Sequence, residues 1–300
     1  MAVEVLITDR NKIRECLGKT ETDVKNDIET IRNWLKYQKH LPESPTDVML
    51  EFFLTNCKYS IEITKRNIDM YYTVRTLLPE FYENNNPHLE ENKFIWDMSY
   101  YIPLPKLTEN LHRIVVIKFN GTPAFDFCKW TGLITNIFEI RLHEDLILGV
   151  VCVVDCKDVR LDHLKDVTPV LIKKILFIKE NVGKDLMKEV HVVNIAPHLL
   201  KFIELVKKFL KKKIADRIFV HQTIDKIYER IPKELLPRDY GGNEKSLNEL
   251  WDMWKLKFDE YKWRYDELDK LKVNEELRPT PLENSDALGY YGNFKQLDVD

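Results

Sequence analysis

Glycine is scarce in this chain, nine in 300 residues, and none of it forms a GxGxxG run to cradle a dinucleotide or a GxSxG elbow to present a nucleophilic serine. HExxH and P-loop patterns are missing as well. The expectation is therefore a protein that is not an enzyme. The five cysteines, Cys16, Cys57, Cys128, Cys152 and Cys156, are odd in number and follow no framework spacing. Cys152 and Cys156 with His163 lack the paired CxxC spacing of a zinc site, so neither disulfides, metal nor a cofactor is expected. His191 and His221 fall in strand-like runs and read as satisfied structural histidines rather than catalytic bases. No apolar run approaches the roughly 20 residues of a membrane span, and the opening MAVEVLITDRNK has no secretory signal pattern. A cytoplasmic location is expected, with any membrane contact transient and peripheral. Net charge of -3 removes the global basic field of a nucleic-acid binder.

What is present falls into three grammars. From about Thr22 to Tyr82 every periodic signal is helical: Val24, Ile28, Ile31, Trp34 and Leu35 recur at three- and four-residue intervals, HLPES interrupts, and Pro45 and Thr46 open a second helix. Ser60 starts a third, carrying Ile61, Ile68, Tyr71 and Tyr72. Asn84 to Pro87 ends this module. Strand and helix then alternate: a strand at Arg113–Phe119, a helix from Pro123 to about His143, a strand at Leu146–Asp155, a helix at Leu161–Val182, strands at Glu189–Ile195 and Ile218–His221. Such alternation implies an α/β layer with a largely parallel sheet. LILGVVCVVD is apolar on both alternating sets, so both sheet faces should be covered, with Val150, Cys152 and Val154 sharing one of them. Beyond Gly242 a charged helix runs from Leu247 to about Val273, its stripe of Trp251, Trp254, Phe258, Tyr261 and Tyr265 expected to dock on the body. The expected units are 1–95, 96–242 and 243–300.

One helix, Pro197 to about Ile214, is apolar over more than half its circumference and ends among Lys207, Lys208, Lys211, Lys212, Lys213 and Arg217. Two readings stand. It is a helix packed between sheet and neighbour with a solvated lysine face, or a movable cover that closes an apolar cavity and meets an anionic membrane.

LLPRDYGG at Leu235–Gly242, with GVVCVVD, VTPVLIKKI and VHVVN before it, resembles the CRAL-TRIO lipid-binding family. IRNWLKYQKHLP, YIPLPKL and the terminal GNFKQLDVD are similar to insect members of its α-tocopherol-transfer-like branch. The resemblance spans nearly the whole chain. It implies an α/β CRAL-TRIO domain, a mostly parallel sheet covered by helices, preceded by an all-α N-terminal domain. It further implies one hydrophobic ligand, α-tocopherol-like or retinoid-like, enclosed in a pocket and carried between membranes. Matched without gaps, the cavity wall falls at Asn136, Val150, Val154, Leu161, Ile175, Ile178 and Val190, to which the alternating strand positions Cys152 and Val192 are added. Asn136 is either a ligand contact or the partner of a backbone group. Leu199, Phe202, Leu205, Val206 and Phe209 inherit the role of a gate. Phosphoinositide-contacting positions fall on Lys188, Lys213 and Arg217, but a further one is Leu186. The family's RFLRAR-like basic run is FFLTNC here, at Phe52–Cys57. Attraction to an anionic membrane survives that loss; specific headgroup recognition is weakened. The competing reading is a lipid-sensing or phosphoinositide-binding scaffold without transfer activity, which an exposed aromatic stripe on the C-terminal helix would favour.

Overall fold

The computed structural model describes residues 3–122, 125–182 and 186–282. Its N-terminal helices are α1 (Arg10–Cys16), α2 (Glu21–Leu35), α3 (Asp47–Asn56) and α4 (Ile61–Leu77). Local chemistry sets their starts. Asp9 and Thr46 accept from the first turns of α1 and α3, while Thr20 and Asp23 form a reciprocal capping box on α2. Every residue of α3 from Met49 to Thr55 is buried, because α2, α4 and the later helix Phe127–Glu144 all pack on it. The FFLT of FFLTNC therefore lies inside the protein, a physical reason for its apolar character.

A short helix α5 (Ile95–Met98) leads into the sheet of β1 (Ser99–Leu107), β2 (His112–Phe119), β3 (Gly149–Asp155), β4 (Met187–Val193) and β5 (Ile218–Val220), in spatial order β1-β2-β3-β4-β5. β1 runs antiparallel to β2, and the remaining pairs are parallel. The alternation in the sequence does not reveal β1. Its prolines, Pro103 and Pro105, argue against a central strand, but β1 is an edge, with a register break between Pro103 and Leu107. The carbonyls of these prolines accept from Trp254 Nε1 (3.3 Å) and the Ile7 amide (2.8 Å), so the edge is covered.

The crossovers are α6 (Phe127–Glu144), α7 (Pro169–Val182), and α8 (Leu200–Phe209) with α9 (Lys212–Ala215). Three differ from expectation. α6 starts at Phe127 because the Asp126 carboxylate caps the Cys128 and Lys129 amides at 2.8 and 2.9 Å. Leu161–Leu164 is a separate 3-10 turn, and α7 begins only at Pro169, which is suited to the first helical position. The helix expected at 197–214 breaks where Leu210 turns extended (ψ 146°). Similarly, the C-terminal helix divides at Tyr261 into α10 (Leu247–Glu260) and α11 (Lys262–Leu268). The tail beyond 282, including GNFKQLDVD, lies outside the described residues.

β3 separates two apolar regions. Ile114, Val116, Val151, Val153 and Val193 join the main core, whereas Val115, Ile117, Val150 and Cys152 form a second cluster on the opposite face. α10 and α11 dock on the body as their stripe predicts: Trp251, Trp254, Phe258 and Tyr265 are buried, and Phe258 meets Trp96 edge-on at 4.6 Å. An ionic knot fastens α11 to the rest. Arg264 donates to Glu139 of α6 (2.7 Å) and to Glu43 (2.7 and 3.0 Å), while Arg75 and the Tyr71 hydroxyl of α4 also donate to Glu139 (3.0 and 2.6 Å).

LLPRDYGG is explained by what it fastens. The Tyr240 hydroxyl donates to Asp155 at the end of β3 (3.0 Å), and the Tyr240 carbonyl accepts from Tyr228 (2.8 Å). Gly241 has φ +71°, and a Cβ on Gly242 would lie 1.9 Å from the Leu236 carbonyl oxygen. The first glycine is demanded by a backbone angle and the second by space.

Candidate functional site

Between the second face of the sheet and helices α4, α6 and α7 lies a cavity of about 310 Å³, at the lower end of the ~300–1,000 Å³ usual for ligand pockets. Its walls follow from periodicity. Ile117, Val150 and Cys152 supply the sheet side, Trp130, Ile134, Ile137 and Phe138 one stripe of α6, and Ile175, Ile178 and Val182 one stripe of α7. Leu186 and Met187 close one end, and Tyr71, Arg75, Tyr82, Tyr101, Thr131, Thr135, Arg141 and Lys179 add polar groups to the wall. Burial pushes the Cys152 thiol up to about 11, against the opposing influence of Lys179 and Arg141. A protonated thiol of this kind behaves as a small apolar side chain rather than a nucleophile.

Of the expected pocket residues, Val150, Cys152, Ile175 and Ile178 come together around this cavity. Val154 and Val190 pack against the same apolar cluster without lining the cavity; Val192, paired with Val154 on the neighbouring strand, is buried beside them. Two assignments are corrected. Leu161 is 61% exposed on its 3-10 turn, because α7 starts eight residues later than that assignment required. Asn136 is buried on the opposite stripe of α6, where its Nδ2 donates to the Asn85 carbonyl (2.7 Å) and its own carbonyl accepts from Tyr265 (3.1 Å). Of its two possible roles it takes the backbone partner. The α6 stripe Trp130, Ile134, Ile137, Phe138 and Arg141 lines the cavity beyond the expected wall, and its three- and four-residue spacing is legible in the sequence.

The cover is also displaced relative to expectation. None of Leu199, Phe202, Leu205, Val206 and Phe209 lines the cavity. α7 does, and α8 packs against α7. Leu199 is buried; Phe202, Val206 and Phe209 are half-buried, while Leu205 is 46% exposed and Leu200 39%. The basic residues divide into two groups. Lys208, Lys211, Lys212 and Lys213 are exposed, with Lys211 paired to Glu180 of α7 at 2.8 Å. Lys207 instead donates to the Ile218 carbonyl (3.0 Å), Arg217 to the Met187 carbonyl, and half-buried Lys188 lies alongside Gly149. These last three are built into the strand ends.

The histidines sit in other surroundings. His163 Nδ1 accepts from the Arg160 amide (3.3 Å) and its Nε2 pairs with the Thr122 carbonyl (2.8 Å). His191 lies between Glu189 (2.8 Å) and His221 (3.0 Å), on the face opposite Val190. Among the described residues no cluster of three His, Cys, Asp or Glu side chains is placed to hold a metal, and no helix is long and apolar enough to cross a membrane.

Comparison with known proteins gives two family matches, a Pinta-like UBA domain over residues 20–92 and a CRAL/TRIO domain over residues 97–242. Relatives described as alpha-tocopherol transfer protein-like include one from Homo sapiens, 26% identical over 245 residues that make up 79% of this chain and 70% of the relative. The Mus musculus counterpart is 25% identical over 244 residues, with the same coverage. Among solved structures, the crystal structure of Sfh5 aligns with a TM-score of 0.46 at 14% identity, covering 85% of this chain and 100% of that one.

Proposed function

We propose that this chain, whose residues 97–242 match the CRAL/TRIO domain, is an intracellular carrier that encloses one hydrophobic molecule, α-tocopherol-like or retinoid-like, and moves it between membranes. The observation that carries this reading is the cavity itself, walled mainly by apolar side chains of the sheet, α6 and α7. Enclosing about 300–400 Å² of apolar ligand surface is favoured by roughly 8–10 kcal/mol at ~25 cal/mol per Å². Spontaneous release into water is correspondingly slow, so delivery needs a trigger.

The trigger in this reading is the outer pair of helices. α8 presents Leu200 and Leu205 beside Lys208, with Lys211, Lys212 and Lys213 following it, the composition of an element that settles on an anionic bilayer. Once there, α8 draws α7 outward and opens the cavity; Lys211, bound to Glu180 of α7, exchanges that partner for lipid phosphate. Generic attraction of about 1 kcal/mol per lysine supplies the affinity, and specific phosphoinositide recognition is not required. The gate role of Leu199, Phe202, Leu205, Val206 and Phe209 becomes that of a lever acting through α7.

Native mass spectrometry of the full chain incubated with α-tocopherol or retinol tests the reading. One ligand per chain is expected, and Ile178→Trp, which fills the cavity from α7, should abolish the adduct without unfolding the protein. Unchanged adduct formation in that variant would place the ligand elsewhere.

A further inference from the structure

We propose that the cavity takes its ligand best by an ionised carboxylate held on Arg141, so that among chains of retinoid-like shape a single-chain or polyene monocarboxylic acid is bound in preference to the corresponding neutral alcohol or ester. This rests on the carrier reading of the cavity and names its ligand.

The first observation is a charge imbalance in the protein interior. Asp145 is fully buried and receives two arginines, Arg113 Nη2 at 2.6 Å and Arg141 Nε at 2.9 Å. Both arginines are buried as well. Two cations thus share one anion. Arg113 is otherwise saturated by neutral acceptors, the carbonyls of Leu104 (2.9 Å), Pro105 and Ile7 (3.2 Å) and the hydroxyl of Thr8 (3.1 Å). The deficit falls on Arg141, whose Nη2 is buried without an acceptor among the described residues and which lines the cavity. The neighbouring knot around Glu139 also leaves Arg75 Nε without an acceptor among the described residues, but its charges balance, Arg75 and Arg264 being matched by Glu139 and Glu43.

The second observation is the composition of the wall. Its charged members among the described residues are Arg75, Arg141 and Lys179, with no aspartate or glutamate. Arg141 and Lys179 both act on the Cys152 thiol, so α6 and α7 bring positive charge to one part of the cavity. The threonines offer a ligand no competing donor: Thr131 and Thr135 give their hydroxyl hydrogens to the Phe127 and Gly132 carbonyls, each at 2.8 Å. A hydroxyl ligand can accept a hydrogen bond from Arg141 yet leaves the excess charge standing. A carboxylate satisfies both, and a planar guanidinium matches its two oxygens.

The test is fluorescence titration of the delipidated full chain at neutral pH with cis-parinaric acid and with its methyl ester, identical chains that differ in headgroup charge. A charge-assisted hydrogen bond predicts the acid bound about tenfold or more tightly than the ester. Arg141→Met, which leaves Asp145 paired to Arg113, should bring the acid-to-ester affinity ratio down to about one. Lys179→Met should weaken the acid selectively as well. If Arg141→Met fails to fold, the wild-type ratio and Lys179→Met decide. Equal affinity of acid and ester for the wild-type chain overturns carboxylate recognition and leaves the carrier reading in place. Binding of neither, by a chain with a folded near-UV spectrum, overturns both.

Discussion

A motif that is informative as a string becomes physical at Gly241 and Gly242. The two adjacent glycines respond to different constraints, and substitution separates them. Gly241→Asn should cost less than Gly241→Ala, because asparagine tolerates a positive φ, and alanine there should lose about 1–2 kcal/mol. Gly242→Ala brings a methyl against the Leu236 carbonyl, a backbone atom that cannot rotate away, and should cost about 2 kcal/mol or more. Asparagine at 242 should offer no rescue, and urea unfolding of the four variants measures the difference. Asn136 marks the limit of reading single residues. Its polarity within an apolar helix is visible in the sequence, but whether it faces a ligand or the Asn85 carbonyl depends on which α6 stripe turns toward the sheet. That choice is made by Glu139 on the same side, which must reach Arg75 and Arg264.

Among the elements, α7 and α8 exchange the roles that their compositions suggest. α8 has the stronger segregation of apolar and basic residues, yet α7 forms the wall and α8 bears on it from outside. A membrane that engages α8 would therefore act through α7. Reversing the charge of Lys211, Lys212 and Lys213 together should slow ligand transfer to anionic vesicles, leave transfer to neutral vesicles near the wild-type rate, and leave ligand affinity unaltered. A stopped-flow transfer assay checks all three, and equal rates to anionic vesicles would defeat the lever. β1 gives the complementary lesson. Pro103 and Pro105 exclude a strand only where both edges must be hydrogen-bonded, and local sequence does not state that β1 lies at the sheet margin.

Across the whole molecule, stability is tied to a few buried carboxylates that join segments distant in sequence. Glu139 links α4, α6 and α11, and Asp145 links α6, β2 and the N-terminal segment through Arg113 and Thr8. Burial alone would raise the Glu139 carboxyl. The His143 ring 3.8 Å away, Arg75 and Arg264 outweigh it and hold the group well below the usual carboxylate range. Burial likewise opposes ionisation of Asp145, and Arg113 and Arg141 hold it below its ordinary value. The folded chain consequently binds fewer protons than the unfolded chain through the acid range. The stability these groups confer is complete above about pH 4–5, where unfolded Asp and Glu are ionised, and declines as pH falls toward their depressed folded values. Urea midpoints measured from pH 7 to pH 3 should fall with acid. Glu139→Gln should lower the midpoint at pH 7 and flatten the decline, and an acid slope identical to the wild type would remove Glu139 from this role.

The sequence by itself determined the order of strands and helices after residue 100, with β1 the exception, the helical module before it, and the docking of the C-terminal aromatic stripe. Those features are written in local periodicity, capping residues and one motif whose glycines are sterically required. Only the tertiary structure decided which stripe of α6 faces the sheet, that α7 rather than α8 lines the cavity, and that Arg113 and Arg141 converge on a single aspartate. Those outcomes depend on how elements far apart in the chain divide a common space and a few buried charges, and such a division has no local signature.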